Sequence, residues 1–509
     1  MPFASSGVRI AVAAALALAA LAAALCFAAR SQAAETVYWN NYSADPDSIA
    51  FAGIDGAGGG PLNLGTATLS GPEGMAYDTV TNRLFVASSS DDRIVALNLD
   101  GSGGADFSAP GALIDSPQGL VVDPETRTVY WINSELESIS WARLDGSVGG
   151  VVDTGGVEVD ADRLSLDPVA KRLYWFDGTA DTVASVSTAG GAVAPLNTAG
   201  ATLGSDSNGI AVEPGLGKVF WLNSSGEAVS WASLAGTGGG DIPVPDPALE
   251  GAYGLSVDAA AGRVYWANYG AGEDRTNGLG FFNLAGGFAP ISVLSAPVDG
   301  PQDPVLIKPP FASAPPAITR GTGTAKAQLT CPTGTWAADA SGAFVYRAPR
   351  TYAYQWTRGG APLSGAVGSA LTATSPGSYA CTITATNQAG SAASTSAAVT
   401  VKAAKFKLLL KTKKAKAKVG ERATFKIQAL NQGDLKSTNS RICPKLTKAQ
   451  KQVLKQPKCK KLGKVVAGKR KAAKLKIKVK AGATGTYKIK LVPKGTGGKA
   501  VSAKLQVIG

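Results

Sequence analysis

Five acidic residues stand at one recurring position of a repeating pattern: Asp78, Asp123, Asp167, Glu213 and Asp258. Carboxylates are the main catalytic groups this chain has to offer. It contains no histidine at all, which removes the commonest general base, the histidine-assisted serine or cysteine nucleophile and histidine metal sites. No G-x-S-x-G elbow, P-loop or G-x-G-x-x-G opening a helix is present. The glycine runs GAGGG (Gly56–Gly60) and GTGGG (Gly236–Gly240) fall in turns after strands, where no phosphate cradle is expected. An acid that recurs once per repeat is more simply a turn cap than an active-site group, because a catalytic set would break the repeat. These residues therefore predict a protein that is not an enzyme and carries no cofactor or metal.

The elements that hold those acids announce themselves by aromatic couplets closing a strand. They read YWNN (Tyr38–Asn41), FVAS (Phe85–Ser88), YWIN (Tyr130–Asn133), YWFD (Tyr174–Asp177), FWLN (Phe220–Asn223) and YWAN (Tyr265–Asn268), with first residues 47, 45, 44, 46 and 45 apart. A period of that length signals radial repetition of one four-stranded unit, each unit burying a face against its neighbour. The strand pattern GLVVD at Gly119–Asp123 recurs from Gly74, Gly209 and Gly254, with Arg163 where a fourth glycine would stand. The first couplet lacks this strand, and Pro301–Ile307 (PQDPVLI) echoes Pro117–Asp123 (PQGLVVD) at the far end. The ring is thus expected to close by pairing its last strand with its first ones, leaving no open edge.

The couplets resemble the YWTD, or class B, repeats of low-density-lipoprotein-receptor-like proteins over roughly residues 35–310. That resemblance implies a six-bladed β-propeller. The family's fourth-position Asp survives at Asp177 alone, with Asn or Ser elsewhere, and the receptor's cysteine modules are absent, so its ligands do not carry over. The alternative reading is a Ca2+-dependent, carboxylate-based hydrolase or lactonase-like propeller, which would need carboxylates converging in the central channel. Aromatics at Phe51, Trp141, Trp231 and Phe281 share one strand position and are expected to pack between blades, with a sugar-binding platform as the sharper alternative. Symmetry is broken by two long loops after couplets, NYSADPDS and NYGAGEDRTNG. Ring closure makes these blades neighbours. Tyr42, Asp45, Asp47, Tyr269, Glu273, Asp274 and Arg275 are accordingly the candidate rim for a protein or glycan ligand.

Composition and cysteines point to export. Arg9 precedes an apolar run from Ile10 to Ala29 and small residues at 31–34, a signal-peptide pattern over residues 1–34 that is also long enough to remain as a membrane anchor. A secreted or cell-surface location follows. Without Cys26, four cysteines remain, with three pairings open. Cys331–Cys381 and Cys443–Cys459 each stay inside one expected domain, and no CxxC pair suggests a metal. After the Pro-rich linker KPPFASAPP (Lys308–Pro316), residues 311–402 carry Cys331, Trp356, Tyr379 and Cys381 in the order that resembles an immunoglobulin-type sandwich, with Trp336 as a further core candidate. The resemblance implies a Cys331–Cys381 bridge. Residues 403–509 alternate apolar residues with lysine, the period of strands with one wet face. They form a second expected β-sandwich, with a short helix between Cys443 and Cys459.

Charge divides the chain. Residues 35–310 carry 11 Lys and Arg against 34 acids, a net of −23; residues 311–402 carry +5; residues 403–509 carry 31 against 2, a net of +29. So large a positive excess predicts attraction to polyanions such as anionic envelope polymers or lipid. Lysines that merely discourage edge-to-edge pairing are the plainer alternative. Nucleic acid is not an expected physiological partner of an exported chain. The fold class is all-β, a six-bladed propeller followed by two sandwiches, and the function class is binding or adhesion.

Overall fold

The computed structural model describes residues 35–509, apart from 57, 205–206, 224–227, 245–248, 250, 270–276 and 292–295. The expected signal segment and Cys26 lie outside the described residues. Strands dominate throughout, and the chain divides into two compact units.

The first unit is a β-propeller. Among the described residues it has six sheets with a four-strand meander apiece. The first blade takes its inner strand from the far end: Pro301–Ile307 pairs antiparallel with Thr36–Asn41, which continues to Ser48–Gly53 and Gly59–Pro61. The other inner strands are Pro72–Asp78, Pro117–Asp123, Ser165–Asp167, Ser207–Glu213 and Ala252–Asp258. Each inner strand touches the next, and the last touches the first. The couplet tryptophans Trp39, Trp131, Trp175, Trp221 and Trp266 are fully buried. Trp39, Trp131 and Trp221 also donate their indole N–H to a connector carbonyl, that of Pro297, Leu113 and Thr202 respectively. The polar fourth residue has the same task, since Asn133 Oδ1 accepts from Asp115 N and Asn41 Oδ1 from Asp299 N.

The recurring acids close turns. Asp78 accepts from Val80 N and Thr81 N, Asp123 from Glu125 N, Asp167 from Val169 N and Ala170 N, Glu213 from Gly215 N and Asp258 from Ala261 N. Three of them reach a cation supplied from further along the ring: Arg127 bonds Asp78, Lys171 bonds Asp123, and Lys308 bonds Asp258. Burial alone would raise the carboxyls of Asp78 and Asp258, and these hydrogen bonds and cations hold both below the usual range instead. Phe51, Trp141, Trp231 and Phe281 are half-buried against clusters that join blades. Cations lie over two of these rings, Lys218 over Trp231 and Arg263 over Phe281.

Residues 336–351 and 386–392, inside the span expected for the second domain, belong to this first unit. Trp336 is half-buried there. A 3-10 turn, Ser341–Ala343, enters the ring and touches four of its inner strands. Val345–Tyr346 then adds a parallel strand to Pro301–Ile307.

The second unit contains two sets of sheets, each around its own core. In the first, a three-stranded sheet (Thr319–Arg320, Gln328–Thr330, Ala370–Thr372) is tied by the Cys331–Cys381 disulfide to the sheet carrying Gly377–Asn387. Buried Trp356 donates to Gly368 O, and Tyr379 donates to Ser375 O. In the second, two five-stranded sheets enclose one apolar cluster. The Cys443–Cys459 disulfide closes a loop holding the helix Lys448–Val453, which starts with a Thr447–Gln450 capping box. Leu446 and Leu454 point from that loop into the core, with Val453 beside them. Among the described residues no helix is long and apolar enough to cross a membrane.

Candidate functional site at the channel mouth

The inner strands approach one another so closely that one position in each blade is constrained. These positions are Gly74, Gly119, Arg163, Gly209, Gly254 and Asp303. A Cβ on Gly74 would lie 2.8 Å from Gly119 N, one on Gly119 2.7 Å from Leu164 N, and one on Gly254 2.6 Å from Asp303 N. Strand register shifts beside each of these four glycines, so the ring is built of bulges. Asp303 adopts a left-handed φ of 45°, a conformation that favours glycine.

Arg163 and Asp303 break the glycine ring, and they sit in the fourth and first blades, half a turn apart. Arg163 spans the channel. Its Nε lies 2.9 Å from Asp303 Oδ1, its Nη2 2.6 Å from Gln302 Oε1 and its Nη1 3.8 Å from Glu73 Oε2. Its guanidinium also lies 5.0 Å from the Tyr253 ring centre. One side chain, 6% exposed, thus joins four blades. Burial pushes the Glu73 and Asp303 carboxyls up, and Arg163 offsets only part of that rise. Burial likewise raises the Tyr253 hydroxyl.

Beneath this polar lid the next residue of every inner strand is apolar: Met75, Leu120, Leu164, Ile210, Leu255 and Pro304. They line a small cavity together with Phe344. The Ser341–Ala343 turn fills the channel beyond. Gly342 O accepts from Ser165 Oγ at 2.5 Å, and a Cβ on Gly342 would fall 1.8 Å from Leu166 O. Below it, Arg347 bonds Asp258, and Tyr346 packs edge-on to Tyr77 with centroids 5.1 Å apart. The channel is therefore stoppered at one end and lidded by Arg163 at the other.

The sequence-predicted rim partly joins this lid. Tyr42 and Tyr269, 227 residues apart in sequence, meet edge-to-face with centroids 5.9 Å apart, and Tyr269 lies 6.2 Å from Tyr253. Ser43 and Tyr269 hydroxyls are 3.2 Å apart. A continuous path of side chains, Tyr42–Tyr269–Tyr253–Arg163, thus leads from the rim into the mouth. Asp47 is turned instead to the backbone, accepting from Gly71 N at 2.7 Å, and Asp45 is exposed. Glu273, Asp274 and Arg275 lie outside the described residues. Tyr253, Glu73 and Asp303 were not singled out by sequence. Their signal was the departure of PQDPVLI from PQGLVVD and of Arg163 from its glycine, which only closure of the ring makes into a pair. Among the described residues, no group of three or more His, Cys, Asp or Glu side chains is placed to hold a metal ion.

No family model matches the chain, and no curated protein matches it. Among solved structures, the chain is similar to one in a crystal structure of a nidogen/laminin complex. The identity is 17%, the match covers 53% of this chain and 98% of that one, and the TM-score is 0.44.

Proposed function

We propose that this is an exported or cell-surface binding protein without enzymatic activity, whose propeller presents the Arg163 mouth and its tyrosine rim to a protein or glycan ligand. The observation that carries this reading is the placement of the broken symmetry. Five recurring acids have turn N–H partners, whereas Arg163, Asp303, Glu73 and Tyr253 gather at one opening beside Tyr42 and Tyr269. Aromatic surface with a few convergent polar groups is what binding mouths are made of. Glu73 and Asp303 outnumber Arg163 at this mouth, which favours a ligand group that is cationic or donates hydrogen bonds. Two disulfides fit an oxidising compartment. The Cys331–Trp356–Tyr379–Cys381 arrangement supports reading its sheets as an immunoglobulin-like spacer, and the +29 of residues 403–509 supports association with anionic envelope polymers.

The test is photo-crosslinking of the full chain, with a photoreactive residue replacing Ser43, on isolated envelope material. A discrete adduct that disappears with Tyr42→Ala and Tyr269→Ala is expected. The same adduct with and without those substitutions would refute a ligand at this mouth. A propeller cut at residue 310 is the wrong reagent, since residues 336–351 complete the channel.

A further inference from the structure

The basic sandwich has two charged faces, not one. In the sheet containing Arg422–Asn431 and Arg470–Val479, Phe425, Ile427, Leu475 and Ile477 enter the core, while Arg422, Lys426, Lys474, Lys476 and Lys478 are exposed. Lys426 stands directly opposite Lys474, and Arg422 opposite Lys478. The other sheet repeats this on its own outer side. Lys504 pairs in register with Lys488 on one flank and Lys414 on the other, so three lysines lie level across three adjacent strands. Lys445 faces Lys490 as well. Neighbouring strands are about 4.8 Å apart, and like charges directly opposite destabilise a sheet. Among the described residues no salt bridge relieves them. The segment's two acids are engaged elsewhere, Asp434 with Arg320 and Lys402 N, and Glu421 with Lys418 N.

Blocking edge-to-edge pairing would need lysines on edge strands. Here the rows reach past the edges onto inner strands, with Lys426 in one sheet and Lys488 and Lys504 in the other, on opposite sides of one core. Such rows complement a regularly charged chain. A flat bilayer meets one face only, whereas a linear polymer can run over one face and a second stretch over the other. Lysine outnumbers arginine 28 to 3 in residues 403–509, and ammonium groups bind phosphate as point charges, which suits a row of singly charged phosphodiesters over one group held in a planar fork. Resting on the envelope-polymer reading above, we infer that this sandwich is a two-faced site for linear phosphodiester polyanions and bridges two stretches of polymer at once.

The experiment uses the full chain with long poly(glycerol phosphate), read by light scattering for bridging and by co-sedimentation for binding. One variant carries Lys426→Gln, Lys474→Gln, Lys476→Gln and Lys478→Gln; the other carries Lys414→Gln, Lys416→Gln, Lys488→Gln and Lys504→Gln. The unmutated chain should form large particles near charge equivalence that redissolve in excess polymer. Each single-face variant should still bind, about tenfold or more weakly as avidity is lost, and should form no particles. Arginine at the same positions should restore them. Exposed Gln relieves repulsion, so an unchanged or higher melting temperature checks the fold. Bridging intact in one variant with binding abolished in the other would overturn the two-faced site. Preference for polyglutamate, or for anionic vesicles over the polymer, would overturn the ligand class. Binding by the unmutated chain without bridging sinks this inference alone, whereas no binding to any polyanion sinks the envelope reading too.

Discussion

Replacing Arg163 with methionine leaves Asp303 and Glu73, 13% and 16% exposed, at the mouth without their shared cation. Breaking a buried ion pair from one side costs about 3–5 kcal/mol. Both carboxylates retain some contact with solvent, so the lower end, about 3 kcal/mol at pH 7.5, is expected. The deficit should depend on pH in a definite direction. The folded carboxyls of Asp303 and Glu73 lie above their unfolded values. An acid raised in this way adds stability below the unfolded carboxylate range and loses it as pH rises through the folded value. Removing Arg163 takes away the charge that lowers both, raises them further, and makes the neutral-pH form costlier. The deficit should therefore shrink as pH falls through the raised range in which the two groups take up protons.

A second variant isolates the pair. Arg163→Gly with Asp303→Gly restores glycine at all six ring positions and relieves the left-handed backbone of Asp303. It should lie within about 1 kcal/mol of the unmutated chain, less than the sum of Arg163→Gly and Asp303→Gly made singly, so the cycle shows coupling. Urea denaturation followed by tryptophan fluorescence, with the propeller transition assigned first, measures it. A pH-independent deficit, or strictly additive single changes, would refute the account of Arg163 as the cation that holds the mouth together.

Two further predictions concern structure alone. Gly342→Ala drives a Cβ into Leu166 O and Val212 O, both backbone atoms that cannot swing aside, and should destabilise the propeller by about 2–3 kcal/mol; an unchanged propeller transition would mean the stopper is not seated in the channel. Reducing the disulfides should lower the stability of the second unit by about 4 kcal/mol for Cys331–Cys381 and about 3 kcal/mol for Cys443–Cys459, as loops of 50 and 16 residues require in the chain-entropy account; non-reducing peptide mapping that recovers any other pairing would refute both values.

What repeats was legible in the sequence, and what breaks the repeat was legible only as a gap. Couplet spacing fixes where strands end because each buried tryptophan needs the same pocket between blades, and each recurring acid needs the same turn. The displaced Pro301–Ile307 strand was readable for that reason: it is a copy. Arg163 was visible as a missing glycine, yet its meaning depends on Asp303, 140 residues away, and no local pattern brings opposite blades together. The stopper was less legible still. Residues 336–351 lie between Cys331 and Trp356, so spacing assigned them to the cysteine-bridged sandwich, and their short strand pairs parallel to a propeller strand that already had a partner. Tyr42 and Tyr269 were nominated because their loops are long, and Asp47 was nominated for the same reason, though its carboxylate is taken up by Gly71 N. Loop length marks where a surface departs from its neighbours. Which side chains on it remain available to a ligand is decided by backbone N–H groups that need an acceptor, and those are set by how the blades meet.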